Sequence, residues 1–217
     1  MKKENNFLVQ IIIEIVAIFI GITLALIIDQ FKENRQTISE VKSHFNLIIN
    51  ELSKDSLELQ IIESKLQKQI NDIDLLCLAL KNEDNSSFNE QLTNLKPVEI
   101  YNPRTDEINF ILNSSSFSQI YNDSIFSHLN NLKSDCKNFD FIQKHEYQLI
   151  KELKDQFILP YLDYNTQLID IKMIRDKNYF LNKLQEYSGL IDLKKAMIGV
   201  MKTGSTQCIE DMKSVIK

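Results

Sequence analysis

Two hydrophobic patterns divide the chain. From Phe7 to Ile28 the sequence FLVQIIIEIVAIFIGITLALII is apolar in every direction, with Glu14 as its one ionisable side chain. From Ile38 onward the apolar residues fall instead on alternating three- and four-residue steps: Ile38, Val41, Phe45, Ile48, Leu52, Leu59, Ile62, Leu66, Ile73, Leu76 and Leu80. The first pattern predicts a helix in a fully apolar medium, and the second a helix with one buried stripe. No Gly or Pro lies between Ile22 and Lys96, so the spacing predicts one helix running from the apolar segment to about Leu80. Asp55 and Gln69 are the two interruptions of its seam.

The segment 7–28 is long enough to span a hydrocarbon core: about 22 residues rise about 33 Å against a thickness of roughly 30 Å. A signal peptide has a shorter apolar core followed by small residues at a cleavage site. The run here ends Leu24-Ala25-Leu26-Ile27-Ile28-Asp29, which is a poor site. An uncleaved single-pass anchor is therefore expected, with residues 1–6 as a short tail and residues 29–217 as a helical domain. Lys2 and Lys3 lead the segment. Its other flank mixes Lys32, Arg35 and Lys42 with Asp29, Glu33 and Glu40. The basic start places the N-terminus in the cytoplasm and the domain outside a bacterial inner membrane, because long domains translocate largely regardless of charge.

Glu14, Ala17, Gly21 and Ala25 share one face of this segment. Small residues at four-residue spacing let helix backbones approach closely. The stripe is a candidate self-association face joined by Glu14; the other reading is a polar residue tolerated on a monomeric anchor.

Further helices are predicted at Phe88–Leu95 and at Asp106–Leu112 with Thr105 as cap. A second long helix, opened by Asp123 or Ser124, carries Ile125, Leu129, Leu132, Cys136, Phe139, Ile142, Leu149, Leu153 and Phe157 on its apolar face and is stopped by Pro160. The segment 161–174 fits no period. A short helix from Asn178 to Tyr187 breaks at Ser188-Gly189, and a last helix from Leu190 to Ile216 presents Leu193, Met197, Val200, Cys208 and Met212. No alternating strand pattern bounded by turns is present. The fold class is all-α: an N-terminal transmembrane helix continuing into a long helix, packed with later helices as an elongated antiparallel bundle. The seam is expected to pack on the chain's own later helices rather than in a symmetric coiled coil, where two Asp55 carboxylates would face each other.

Composition fits this reading: four Gly, three Pro and no Trp in 217 residues. A net charge of −5 argues against a general nucleic-acid binder. Cys77, Cys136 and Cys208 form no CxxC pair, and an odd number cannot all pair within one chain. Three buried free thiols are expected; one bridge stays open if the domain is extracytoplasmic.

Blocks of the chain resemble a family of short single-pass bacterial membrane proteins of Bacteroidetes type. The first runs Glu14, Gly21-Ile22, Ala25-Leu26, Asp29-Gln30 and Phe31-Lys32-Glu33, with Phe31 where the family has Trp and Asp29 where it has Asn. The second is Ser115-Ser116-Phe117-Ser118-Gln119-Ile120-Tyr121-Asn122-Asp123-Ser124-Ile125, with Ser116 in place of a Gly. The third is Phe180-Leu181-Asn182. The resemblance implies an anchor and a helical domain, and no activity.

Chemistry-bearing motifs are sparse. His145-Glu146 opens a zincin-like run, but Leu149 stands where the second His belongs. His44 and His128 lack ligand-spaced neighbours, and no phosphate-cradling glycine loop or nucleophile elbow occurs. No catalytic, cofactor or metal residue is expected. Tyr161, Tyr164, Tyr179 and Phe180 form the richest aromatic group, read either as core packing or as a ligand pocket. Two function classes stay open: a non-enzymatic scaffold that interacts with or regulates a membrane complex, and a ligand-sensing bundle signalling through a partner membrane subunit. The tail of six residues ahead of the anchor favours the first. Expected partners are the lipid bilayer, an unidentified membrane protein and a second copy through the transmembrane face.

Overall fold

The computed structural model describes residues 2–97, 100–114, 117 and 123–216, and within them the side chains of residue 14 and of residue 16 onward. Much of the second family block therefore lies outside the described residues, as do the side chains of 7–13 and of Ile15 in the apolar segment.

Among the described residues five α-helices make up nearly all of the structure: α1 (Lys2–Asn82), α2 (Asn85–Leu92), α3 (Asp106–Asn113), α4 (Asp123–Leu153) and α5 (Lys177–Ile216). Helix α1 is unbroken, as its lack of Gly and Pro predicts, and extends about 120 Å at 1.5 Å per residue. It stops at a left-handed Glu83 (φ 54°), where the Asp84 N–H donates to the Ala79 carbonyl at 3.0 Å, the C-terminal motif that satisfies orphan helix carbonyls. Asp84 then caps α2, accepting from the Ser86 and Ser87 N–H groups at 3.1 Å each.

Helix α5 packs along both α1 and α4. It runs antiparallel to each: Lys177 near its start pairs with Glu83 at the far end of α1, while Lys42 donates to the Ile216 carbonyl at 2.9 Å. Helices α1 and α4 are consequently parallel, and the connector through α3 descends the length of the bundle between them.

Two apolar cores result. A distal core gathers Leu59–Leu80 of α1 with Phe88, Phe139, Leu153, Phe157, Phe180, Leu184 and Ile198. A proximal core gathers Val41, Phe45, Ile48 and Leu52 with Ile108, Ile111, Ile125, Leu129, Cys208 and Met212. The α1 seam is thus buried on helices of the same chain, and all the apolar positions expected for α4 are buried as well. Ile38 is the exception on α1, exposed beyond the end of the bundle.

The structure corrects several local expectations. Gly189 does not break α5; it lies on an exposed face where a Cβ would meet nothing. The buried stripe of α5 is Phe180, Leu184, Tyr187, Ile191, Lys194, Ile198, Met201, Ser205, Cys208 and Met212. Leu193 and Val200, expected inside, are exposed. The expectation avoided the true phase because that phase carries Lys194 and Ser205. Thr105 precedes α3 without a side-chain cap bond.

Helix α4 does not run straight to Pro160. A π-turn (Lys154–Ile158) and a 3₁₀ turn (Leu159–Tyr161) follow Leu153. The wider turn accommodates a proline that lacks an N–H, and it seats Phe157 in the core, stacked on Phe180 at 4.7 Å. A small antiparallel pair, β1 (Leu162–Asp163) and β2 (Leu168–Ile169), comes next. Its turn is tied by Asp163, which accepts from the Asn165 N–H and the Thr166 hydroxyl. Asn89 of α2 exchanges two hydrogen bonds with the Ile169 backbone at 2.7 and 2.8 Å, clasping the hairpin over the distal end.

Candidate functional site

Among the described residues the buried polar ones are Asp55, Gln69, Gln143, Glu146, Lys194 and Ser205. A buried polar group is costly unless it is hydrogen-bonded, so their partners show what they do. Three of them hold the connector between α2 and α3. Gln69 donates to the Lys96 carbonyl and to the Tyr187 hydroxyl, the latter at 2.6 Å. Gln143 forms a two-way bond with Tyr101: its Oε1 accepts from the Tyr101 N–H at 2.8 Å and its Nε2 donates to the Tyr101 carbonyl at 3.0 Å. Asp55 accepts from the Arg104 N–H at 3.1 Å and from the Arg104 guanidinium, which also reaches Glu58 at 3.3 Å. The two residues that interrupt the α1 seam are therefore clamps on a crossing strand of backbone.

Beside these clamps lies the most buried ion pair. Lys194 of α5 and Glu146 of α4 meet at 2.5 Å with side chains 1 % and 2 % exposed. The ammonium also stands 5.7 Å from the Phe139 ring centroid. The Tyr187 hydroxyl approaches Glu146 at 3.4 Å. Burial and the nearby Glu146 carboxylate hold the Tyr187 phenol neutral, far above its ordinary range. Tyr101 is held neutral likewise, by burial and then by Asp55. Neither phenol is poised to exchange a proton near neutral pH.

A groove of about 710 Å³ opens over the pair, walled by Pro97, Ile100 and Tyr147, with Gln143, Glu146 and Lys194 at its floor. Ile100 and Tyr147 are 68 % and 61 % exposed. Elsewhere on α4 the exposed Phe141 stacks against His145.

The other sequence-derived candidates are dispersed. Phe180 is fully buried, Tyr164 sits exposed in the hairpin turn, Tyr179 is partly exposed against Phe157 at 5.4 Å, and the Tyr161 hydroxyl accepts from the Arg175 N–H at 3.4 Å. Glu14, Ala17, Gly21 and Ala25 are all exposed, and a Cβ added at Gly21 would meet nothing within 4 Å. All three cysteines are free. Cys136 and Cys208 are buried and their thiols pushed up to about 12, mainly by burial, so neither is a ready thiolate. Cys77 is half-buried, with its thiol pushed up for the same reason. His44 pairs with Glu107 at 2.7 Å and His128 with Asp211 at 2.6 Å, each joining two helices. Among the described residues no group of His, Cys, Asp and Glu is arranged to hold a metal ion.

Sequence reasoning passed over Lys194 and Glu146. A usable signal existed: Lys194 stands at three- and four-residue steps between Ile191 and Ile198, and Glu146 four residues from each of Ile142 and Ile150. Two opposite charges on seam positions of two different helices are expected to meet.

No family model, curated protein or solved structure matches this chain.

Proposed function

We propose that the protein is a non-enzymatic, membrane-anchored interaction scaffold that holds a helical bundle off a bilayer surface for assembly with a membrane protein complex. One observation carries this reading. From Val16 to Phe31 every residue of α1 is exposed, including Ile18, Phe19, Ile20, Ile22, Leu24, Leu26, Ile27 and Ile28. A contiguous apolar surface on all sides of a helix is not tolerated in water and calls for a covering. Among the described residues no helix is long and apolar enough to cross a membrane; the anchor reading adds residues 7–13 and 15, whose side chains lie outside those described. The Gly-Ile and Ala-Leu resemblance supports the same assignment. So does Arg35, whose guanidinium lies 4.8 Å from the Phe31 ring, an aromatic–cation pair suited to the interface. The basic Lys2-Lys3 start supports an extracytoplasmic bundle.

The scaffold reading draws on the internal polar groups, which are engaged in clamping and bridging the fold. Its test is recovery from native membranes. Tag the chain at its C-terminus, wash membranes in alkaline carbonate, solubilise in mild detergent and measure particle mass. The expected result is retention through the wash and a stoichiometric assembly larger than the chain with its micelle. Release by carbonate overturns the anchor, and a lone chain overturns the scaffold. Topology is read from Tyr164→Cys with an impermeant thiol reagent. Labelling in intact cells is expected, and protection until lysis reverses the orientation.

A second reading, a ligand-sensing bundle that signals through a partner membrane subunit, draws on the groove over Glu146 and Lys194.

A further inference from the structure

We propose that the groove between the connector and α4 binds a neutral, largely apolar small molecule whose carbonyl oxygen accepts a hydrogen bond from Lys194. The inference stands on the groove's geometry and on neither the anchor nor the scaffold reading.

Size and wall chemistry come first. At about 710 Å³ the groove falls within the range of small-molecule sites, which are concave, mostly apolar and carry few polar groups. Its walls include Tyr147, Ile100 and Pro97. The exposure of Ile100 and Tyr147, 68 % and 61 %, gives a ligand substantial apolar area to cover.

The floor supplies the polar contact. Lys194 is 1 % exposed and carries three N–H donors, yet among the described residues its one hydrogen-bond acceptor is Glu146 at 2.5 Å. The Phe139 face at 5.7 Å adds a cation–π contact and no acceptor. A buried ammonium is best served by more than one acceptor. A ligand oxygen entering from the groove provides a second, while Glu146 keeps its bond. Gln143 does not compete, because both ends of its amide are held by the Tyr101 backbone.

Charge selects against an ionic ligand. Lys194 is matched by Glu146 on the floor, and Lys144 by Asp140 at the rim, 2.6 Å apart. Among the described lining residues the charges cancel, and a carboxylate head group would sit against Glu146. A carbonyl takes the Lys194 N–H without that repulsion.

The walls are held in place before a ligand arrives. Pro97 and Ile100 belong to the connector that Gln69, Gln143 and Asp55 clamp at Lys96, Tyr101 and Arg104. A pre-positioned site loses less in ordering on binding.

The test uses the full chain in detergent micelles and 6-propionyl-2-dimethylaminonaphthalene, a flat neutral ketone whose emission responds to burial and to hydrogen bonding at its carbonyl. After subtraction of the micelle blank, a saturable signal at one probe per chain is expected. Ile100→Trp fills the groove from an exposed position and should abolish saturation, while Leu57→Trp, at a comparably exposed site on α1, should leave it intact. Lys194→Met, checked for helicity, should weaken binding about tenfold and remove the hydrogen-bonded component of the emission. If Lys194→Met does not fold, the two Trp variants decide the matter. The proposal is overturned by a signal that does not saturate, by equal behaviour of Ile100→Trp and Leu57→Trp, or by unchanged affinity in a folded Lys194→Met chain.

Discussion

The two ends of α1 are built from the same apolar residue types and behave in opposite ways. Between Val41 and Leu80 the Val, Ile, Leu and Phe side chains are 0–3 % exposed when they fall on the heptad stripe. Between Val16 and Phe31 the same residue types are 50–72 % exposed in every direction. Helix propensity cannot distinguish the ends, because the helix is continuous. What differs is the angular spread of the apolar positions. A stripe fits one neighbour, and α5 lies along it; an all-round surface fits a solvent. One helix thus addresses two apolar environments, its own bundle and the proposed bilayer, with the change falling between Phe31 and Val41.

The largest expected difference between the ends comes from truncating side chains. Leu66→Ala empties a site buried by α5 and should destabilise the bundle by about 2–5 kcal/mol. Ile20→Ala should leave thermal unfolding of the bundle, followed by circular dichroism, unchanged. Equal effects would break the division between the two regions.

A charge makes the converse comparison. Ile20→Lys near mid-segment should oppose membrane insertion by about 2.5–3.5 kcal/mol, seen as carbonate-extractable protein. Leu57→Lys, at an exposed site, should extract no more than the unaltered chain. Ile20→Lys that stays in the pellet would show that the segment is held by something other than lipid.

The clamps sharpen the picture within the bundle. Asp55→Ala removes the acceptor of the Arg104 backbone and guanidinium and should cost about 1–3 kcal/mol, with hydrogen exchange rising at residues 100–105 ahead of α1. Uniform exchange across both would mean that the connector is not separately held.

The smallest effect has the opposite sign. Glu51 Oε2 is buried with no hydrogen-bond partner among the described residues, and its carboxyl is raised above the ordinary range by burial and then by Glu107, Asp55 and Asp106. A carboxyl with a raised folded-state value favours folding fully below its unfolded value, ordinarily 4.5, and that contribution is lost as pH rises through the raised value. Glu51→Gln should therefore raise the melting temperature slightly at pH 7.5 and leave it unchanged at pH 4. A lower melting temperature at pH 7.5 would show that the charged form is stabilised.

How much of this was legible follows from the same residues. The α1 and α4 stripes were readable because nearly all of their positions are apolar; Asp55 and Gln69 are isolated gaps in a long period. The α5 stripe was misread by one position because Lys194 and Ser205 occupy it, and a neighbouring row through Leu193 and Val200 looked more apolar. The hairpin at 162–169 was invisible, since two-residue strands carry no period and are held by Asn89 from another element. The groove was equally hidden. Pro97 and Ile100 are far in sequence from Tyr147 and Lys194, and only the descending connector brings them together.

The absence of tryptophan gives direct access to the central claim. Phe19→Trp and Leu57→Trp place one indole each at exposed apolar positions of α1, 72 % and 64 % exposed. In liposomes containing brominated lipid, the account predicts strong lipid quenching and iodide protection at position 19, with the reverse at position 57. Iodide quenching of both indoles to the same extent would contradict it.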